Sequence, residues 1–181
     1  MKSKKISSKR LNFYSISNEY IKYISEFDSH IAYNKNNKRP YVGIVLYINN
    51  LLYFAPLFSP KPQHFKYKDN LSFIKLYGNN EKTDYLGLIR FADMIPVPEC
   101  EITKIDGSIR GKKYNMLLIK QYNYINENEK RELIKTKAKN IYDIVTSNNS
   151  SRTAIFYKKI CCNYKILEEK CLRYEKIINN K

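Results

Sequence analysis

The chain has 181 residues, enough to bury the core of one domain, and its 43% hydrophobic content sets it apart from disordered sequences. Its apolar runs are too short to span a bilayer, and the basic N-terminus MKSKKISSKR is followed by no apolar signal stretch, so a cytoplasmic location is expected. Against 17 acidic residues stand 33 Lys and Arg, a formal charge of +16 that suits a polyanionic partner, either nucleic acid or an anionic membrane face.

Residues 1–10 carry five basic residues and no acid, which predicts a basic arm over 1–11 ahead of a single domain over 12–178. Residues 12–16 (NFYSI) read as a short strand. Ser17 is a suitable N-cap for a helix through Phe27, with Tyr20, Ile24 and Phe27 on one face. Residues 28–39 are polar and loop-like. Residues 41–48 (YVGIVLYI) alternate, placing Val42, Ile44, Leu46 and Ile48 together. Asn49-Asn50 follows as a two-residue hairpin turn, because Asn tolerates positive φ. The return strand is 51–57 (LLYFAPL), and Pro56 predicts that its end lies at a sheet edge or rim. Residues 71–77 and 86–98 read as further strands.

The second half changes period. Residues 114–125 predict a helix, and Asn126 with Glu129 has the spacing of a capping box. A second helix runs to about Val145 with Ile134, Ala138, Ile141 and Val145 buried. Residues 147–151 (SNNSS) are a loop, and a last helix from about Asn163 buries Tyr164, Leu167, Cys171 and Tyr174. The fold class is α+β: a small curved antiparallel sheet or barrel, decorated with helices, and a helical C-terminal half.

Four cysteines form no CxxC pair, and the only histidines are His30 and His64. That set offers neither a zinc cage nor a disulfide framework, so buried cysteines and no metal or other cofactor are expected. The 17 tyrosines are interleaved with Lys, Arg and Asn, and there is no tryptophan. Rings beside cations suit unpaired bases and their phosphates, which favours RNA over a membrane. Part of the same bias is what AT-rich coding produces.

The chemistry concentrates in 53–65, YFAPLFSPKPQHF. Ser59 and Lys61 each precede a proline, so both are held extended, and alternation turns them to the same side. A plain solvated loop is the simplest reading of such a segment. A serine hydrolase is not, since no G-x-S-x-G is present. Phosphoryl transfer on RNA needs less: the 2′-hydroxyl is the nucleophile, and a cation with one or two hydroxyl or imidazole groups suffices.

Six blocks carry a resemblance: FYSISNEYIKYISEFD (13–28), YVGIVL (41–46), FAPLFSPK (54–61), LGLIRFADMIPVP (86–98), IKQYNYI (119–125) and CNYKILEEK (162–170). Their order and spacing resemble the ToxN/AbiQ family, the protein toxins of type III toxin–antitoxin and phage abortive-infection systems. The resemblance implies a Kid/MazF-like core and a metal-independent endoribonuclease leaving 2′,3′-cyclic phosphate and 5′-hydroxyl ends. It also implies an antitoxin that is a small, folded repeat RNA, bound with the toxin in a closed protein–RNA oligomer.

Carried onto this chain, the family's Ser and Lys fall on Ser59 and Lys61, and its basic residue before the Gly-containing strand on Arg39, with Lys38 as alternate. Its Thr is Phe58 here, which leaves His64 as the nearest group for proton transfer, although a surface role for that histidine is equally ordinary. Tyr33 corresponds to an upstream tyrosine and could stack on a base. The basic segments 35–76 and 104–139 would form the RNA groove. Tyr33, Lys35, Lys38, Phe58, Lys66 and Lys68 are its candidates from the first half, and Lys112, Lys113, Lys120 and Gln121 from the second. A non-catalytic RNA-binding module is the alternative. A DNA-binding protein finds no supporting motif.

Overall fold

The computed structural model describes residues 10–80, 83–106 and 111–179; positions 1–9 of the expected basic arm lie outside these. Seven strands, β1 (Asn12–Ile16), β2 (Tyr41–Ile48), β3 (Leu51–Phe58), β4 (Phe73–Tyr77), β5 (Tyr85–Arg90), β6 (Ile95–Pro96) and β7 (Ile102–Lys104), form one antiparallel sheet. Its order is β4-β5-β3-β2-β1-β7, with β6 also paired to β3. The sheet is open, so the barrel alternative is not adopted.

The β2–β3 hairpin turns where the sequence requires it, with Asn49 and Asn50 at φ 52° and 62°, the conformation of a mirror-image turn. The alternation in β2 is broken by a register shift between Val42 and Leu46. Tyr41, Val42, Gly43, Val45 and Leu46 are therefore the buried residues, while Ile44 and Ile48 are only half-buried.

Of the edge and the rim expected from Pro56, the edge does not hold. β3 is interior, bonded to β2 on one side and to β6 and β5 on the other. Leu57 N–H donates to Pro40 O at 2.9 Å, so the preceding nitrogen faces away from β2. There β3 leaves β6 (Tyr53, Phe54) and takes up β5 (Leu57, Phe58). The missing N–H falls in the gap between two partners, which is how a proline is tolerated in an interior strand.

The stretch 86–98 is likewise two strands rather than one. β5 ends at Arg90, a 3-10 turn spans Phe91–Asp93, and β6 follows.

Five helices complete the fold: α1 (Asn18–Ser25), α2 (Lys112–Asn126), α3 (Asn128–Thr146), α4 (Arg152–Ile160) and α5 (Tyr164–Asn179). Ser17 caps α1 by accepting from Tyr20 N–H; the helix ends two residues before Phe27. α2 packs on β4 and β5, α3 on β2, and α5 on β6. In α3 the residues Ile134, Ala138 and Ile141 are fully buried. Tyr53 and Tyr142 hydroxyls both donate to Glu168 Oε1, at 2.9 and 2.8 Å, tying β3, α3 and α5 together.

The expected capping box is absent. Asn126 ends α2, and its amide instead clamps Leu11, accepting from its N–H at 2.9 Å and donating to its carbonyl at 3.0 Å. The helix α4 is not in the sequence-based expectation. Cys161, Cys162 and Cys171 are buried as expected, whereas Cys100 is exposed.

Candidate active site

β3 delivers Phe58 to the rim of the sheet, opposite Leu88 of β5. The two strands approach closely there because Gly87 has φ +122°, and a Cβ on it would stand 2.2 Å from the Phe58 carbonyl oxygen. Only glycine fits both the dihedral and the contact. Past this point Ser59, Pro60 and Lys61 are exposed. Lys61 has φ −141° and ψ 143°, the extended conformation predicted for a residue before proline. Pro62 then opens a 3-10 turn, Pro62–Lys66.

That turn places His64 inward. His64 is buried, so the surface role does not hold. Its Nδ1 lies 2.8 Å from the Tyr85 hydroxyl. Burial chiefly, then Lys61 and Lys75, push the His64 pKa below its ordinary value, so the ring is neutral at pH 7. Burial, with Tyr77 and Tyr67, pushes Tyr85 up, and it keeps its proton. The tautomer sets the role of Nε2: a base if Nδ1–H donates to Tyr85, a donor if Tyr85 donates to Nδ1.

Near Lys61, which perturbs Lys35, is a turn with three consecutive residues at positive φ: Lys35, Asn36 and Asn37, at 53°, 53° and 58°. Two of the three are Asn, the residue that best tolerates this region after glycine. Buried Asn34 holds the turn, its Nδ2 donating to Ile16 O, Asn18 Oδ1 and Asn37 Oδ1 at 2.9, 2.9 and 3.1 Å. The turn returns the chain to Arg39, whose N–H donates to Asn34 O at 3.0 Å.

Arg39 is nearly buried; its Nε donates to Tyr33 O at 2.6 Å and its guanidinium lies 4.4 Å from the Phe58 ring centre. Such a cation–π contact restrains both groups. Burial lowers the Lys35 pKa, and the neighbouring Arg39 and Lys61 lower it further. Three cations thus share one corner of the molecule beside Ser59.

A cleft of about 460 Å³ opens against this corner, lined by Phe58, Lys61, His64, Tyr67, Ser72 and Arg90 among others. The structure therefore brings Lys61, His64 and Phe58 together on the cleft, with Arg39 stacked behind Phe58. Tyr33 stands beside them, 71% exposed, and Lys35, Lys38, Lys66 and Lys68 are exposed nearby in sequence.

The α2 candidates separate from this group. Lys112 and Lys113 are exposed on its first turn, and Lys120 pairs with Asp84 at 2.9 Å; none of the three lines the cleft. Gln121 is buried, and its amide Nε2 donates to Leu86 O at 2.6 Å, so it packs α2 on β5 rather than facing a ligand. Sequence reasoning missed Arg90, Tyr67 and Ser72: Arg90 lay inside a strand drawn through 86–98, Ser72 inside the strand 71–77, and Tyr67 in an unassigned segment. Among the described residues no group of three or more His, Cys, Asp or Glu is arranged to hold a metal ion, and no helix is long and apolar enough to cross a membrane.

With this geometry in place, residues 12–172 match the family described as Toxin ToxN, type III toxin-antitoxin system. The chain is 37% identical over 169 residues to the endoribonuclease ToxN of Bacillus thuringiensis subsp. kurstaki, covering 90% of this chain and 84% of that one. The fold superimposes with a TM-score of 0.82, at 34% identity and covering 92% and 98% of the two chains, on a bacterial type III toxin–antitoxin structure described by selective toxin inhibition by a non-coding RNA pseudoknot. It also superimposes, with a TM-score of 0.81, 30% identity and coverage of 92% and 99%, on AbiQ, a lactococcal anti-phage endoribonuclease of the type III class.

Proposed function

The chain belongs to the ToxN family of type III toxin–antitoxin systems, and on that premise we propose that it is a metal-independent endoribonuclease toxin acting through the Ser59–Lys61 segment. The observation that carries this reading is the proximity of Lys35 and Arg39 to Lys61, two residues after exposed Ser59, with a neutral, buried histidine on the cleft that Lys61 lines.

In this reading a substrate 2′-oxygen attacks the adjacent phosphorus, the P–O5′ bond breaks, and the products are a 2′,3′-cyclic phosphate and a 5′-hydroxyl. The 2′-hydroxyl proton leaves to a base and the departing 5′-oxygen receives one. His64 Nε2 serves one of these transfers. Lys61 and Arg39, with Lys38 as the alternate to Arg39, stabilise the charge that grows on the phosphorane oxygens. Ser59 orients the attacking hydroxyl or the scissile phosphate. Phe58, which stands where the family has Thr, supplies no hydroxyl; its ring seats the Arg39 guanidinium instead. Tyr33 offers an exposed ring on which a base can stack.

Residues 12–178 act as one domain, and the basic segment 1–11 adds electrostatic contact with RNA. The substrates are messenger or other cellular RNAs in the cytoplasm, and the effect is abortive infection and antiviral defence. The inhibitor is a small repeat RNA, pseudoknot-like as in the solved neighbour, assembled with the toxin in a closed oligomer and occupying the same groove. No membrane is involved.

The test is cleavage of a mixed-sequence RNA by the RNA-free protein in excess EDTA, with end-group analysis. Wild type should leave cyclic phosphate ends and Lys61→Ala should cut at least 100-fold more slowly. Intact RNA bound tightly by both proteins would instead identify an RNA-binding module.

A further inference from the structure

The cleft contains a cation that the cleavage scheme leaves without a task. Arg90 closes β5 opposite Phe73 of β4, and both residues line the cleft. Its Nε lies 3.2 Å from Asp93 Oδ1, a carboxylate only 3% exposed, while the arginine side chain is 45% exposed. The 3-10 turn Phe91–Asp93 makes this pairing possible by bringing i and i+3 together. That turn is fixed in turn by Ser72 O, which accepts from Phe91 and Ala92 N–H at 2.7 and 3.0 Å. A buried acid thus sits beside the inner nitrogen of the guanidinium as an ion pair, its Oδ1 forming no hydrogen bond among the described residues, and the two terminal amino groups remain for a ligand.

The surroundings state what that ligand is. Lys61 and Lys68 line the same cleft, and no acidic side chain among the described residues does. Tyr67 and Phe73 form an edge-to-face pair, with ring centres 5.8 Å apart, along one wall, and Tyr67 is 43% exposed. Cations with unfilled donors suit phosphate oxygens, for which the planar arginine fork is especially matched. An exposed ring beside them suits a base. The volume, about 460 Å³, is that of a small-ligand cleft rather than of a groove for duplex RNA.

We propose that this cleft is a subsite for the nucleotide adjoining the scissile bond: Arg90 holds that nucleotide's non-scissile phosphate, its base lies against Tyr67, and Asp93 is the positioning residue that fixes the guanidinium. The assignment rests on the RNA-cleavage reading above. It adds a contact that grips the strand beside the reacting phosphate, where neither Lys61 nor Arg39 is needed.

The experiment uses an oligoribonucleotide with a mapped cleavage site, in which each phosphate in turn is replaced by an uncharged methylphosphonate. It is cut by wild type, Arg90→Gln, Arg90→Lys and Asp93→Asn, all checked for an intact melting transition. Arg90→Gln should lower kcat/KM about 10- to 100-fold, chiefly through KM, the loss expected for one charge-assisted contact. Arg90→Lys keeps the charge without the fork and should fall between the two, so it serves if the Gln variant does not fold.

Neutralising one phosphate next to the scissile one should cost wild type a similar factor and cost Arg90→Gln little more. Asp93→Asn should lose part of that single-phosphate sensitivity while the cost of neutralising other phosphates is unchanged. An Arg90→Gln enzyme with wild-type kcat/KM, or with undiminished sensitivity at every phosphate, would overturn the subsite alone. Undiminished sensitivity in Asp93→Asn would overturn the positioning role. A wild type that cleaves no RNA would overturn the cleavage reading and the subsite with it.

Discussion

Replacing buried Asp93 by asparagine should stabilise the protein above about pH 6. Its carboxyl is pushed from an ordinary 3.8 up to about 6, chiefly by burial, with Asp28 adding to the shift and Arg90, His30 and Arg39 opposing it. A carboxyl whose pKa is higher in the folded state favours folding when protonated. That contribution is fully present below about pH 4 and is lost as the pH rises through 6. A shift of roughly two units corresponds to about 3 kcal/mol between the two ends of this window. Asparagine has no charge to bury. It gives up the pairing with Arg90, whose opposing effect is already contained in that net shift.

Asp93→Asn should therefore be about 3 kcal/mol more stable than wild type at pH 8, equivalent to roughly 6–12 °C in Tm for a chain of this size. At pH 4 it should be equal or slightly less stable. Urea unfolding at pH 4, 6 and 8 reads the difference directly. Parallel stability profiles for the two proteins over that range would refute the reasoning, since they would mean that Asp93 is ionised in the fold at no net cost.

His64 should titrate below 6.5 in a proton NMR experiment, with His30 as the second resonance, because burial, Lys61 and Lys75 all disfavour its charge. Lys75→Met should move its midpoint upward, and an unchanged midpoint would remove the lysine from the site's electrostatics. The same depression predicts that the acid limb of the cleavage rate lies below pH 6.5 if neutral His64 is the base. Gly87→Ala forces a Cβ to within 2.2 Å of the Phe58 carbonyl at a φ of +122°. It should cost about 2–4 kcal/mol and reduce cleavage beyond what the stability loss explains, with Tm and kcat measured on the same preparation. An alanine variant with wild-type values would show that β5 need not approach so closely.

The elements written in local chemistry were legible. Asn49-Asn50 marks its hairpin turn, Ser17 its helix start, and the 3.6-residue stripe of Ile134, Ala138 and Ile141 its helix. What failed depends on partners far along the chain. Pro56 reads as an edge residue until the gap between β6 and β5 is known. Asn126 reads as a cap until Leu11 is brought beside it. Helix α4 hides because Ala154, Ile155, Phe156 and Tyr157 are contiguous rather than periodic, and its Ile155 and Phe156 are exposed.

The site divides the same way. Ser59 and Lys61 stand out because prolines flank them, whereas Arg39, with Lys38 as its alternate, enters only through the family resemblance. Arg90 acquires its meaning only when β5 stops and the next turn carries Asp93 beneath it. The strained turn 35–37 is signalled by two asparagines, but its purpose appears only when Arg39 is seen against Phe58.

The central claim is that this fold cuts RNA with the substrate's own 2′-hydroxyl, and a single atom tests it. An oligoribonucleotide carrying one 2′-deoxy residue immediately 5′ to the scissile phosphate should bind with nearly unchanged affinity and remain uncut at that position, while its all-ribose counterpart is cleaved. Cleavage of the deoxy substrate at the same phosphate would contradict the account and require a nucleophile from outside the RNA.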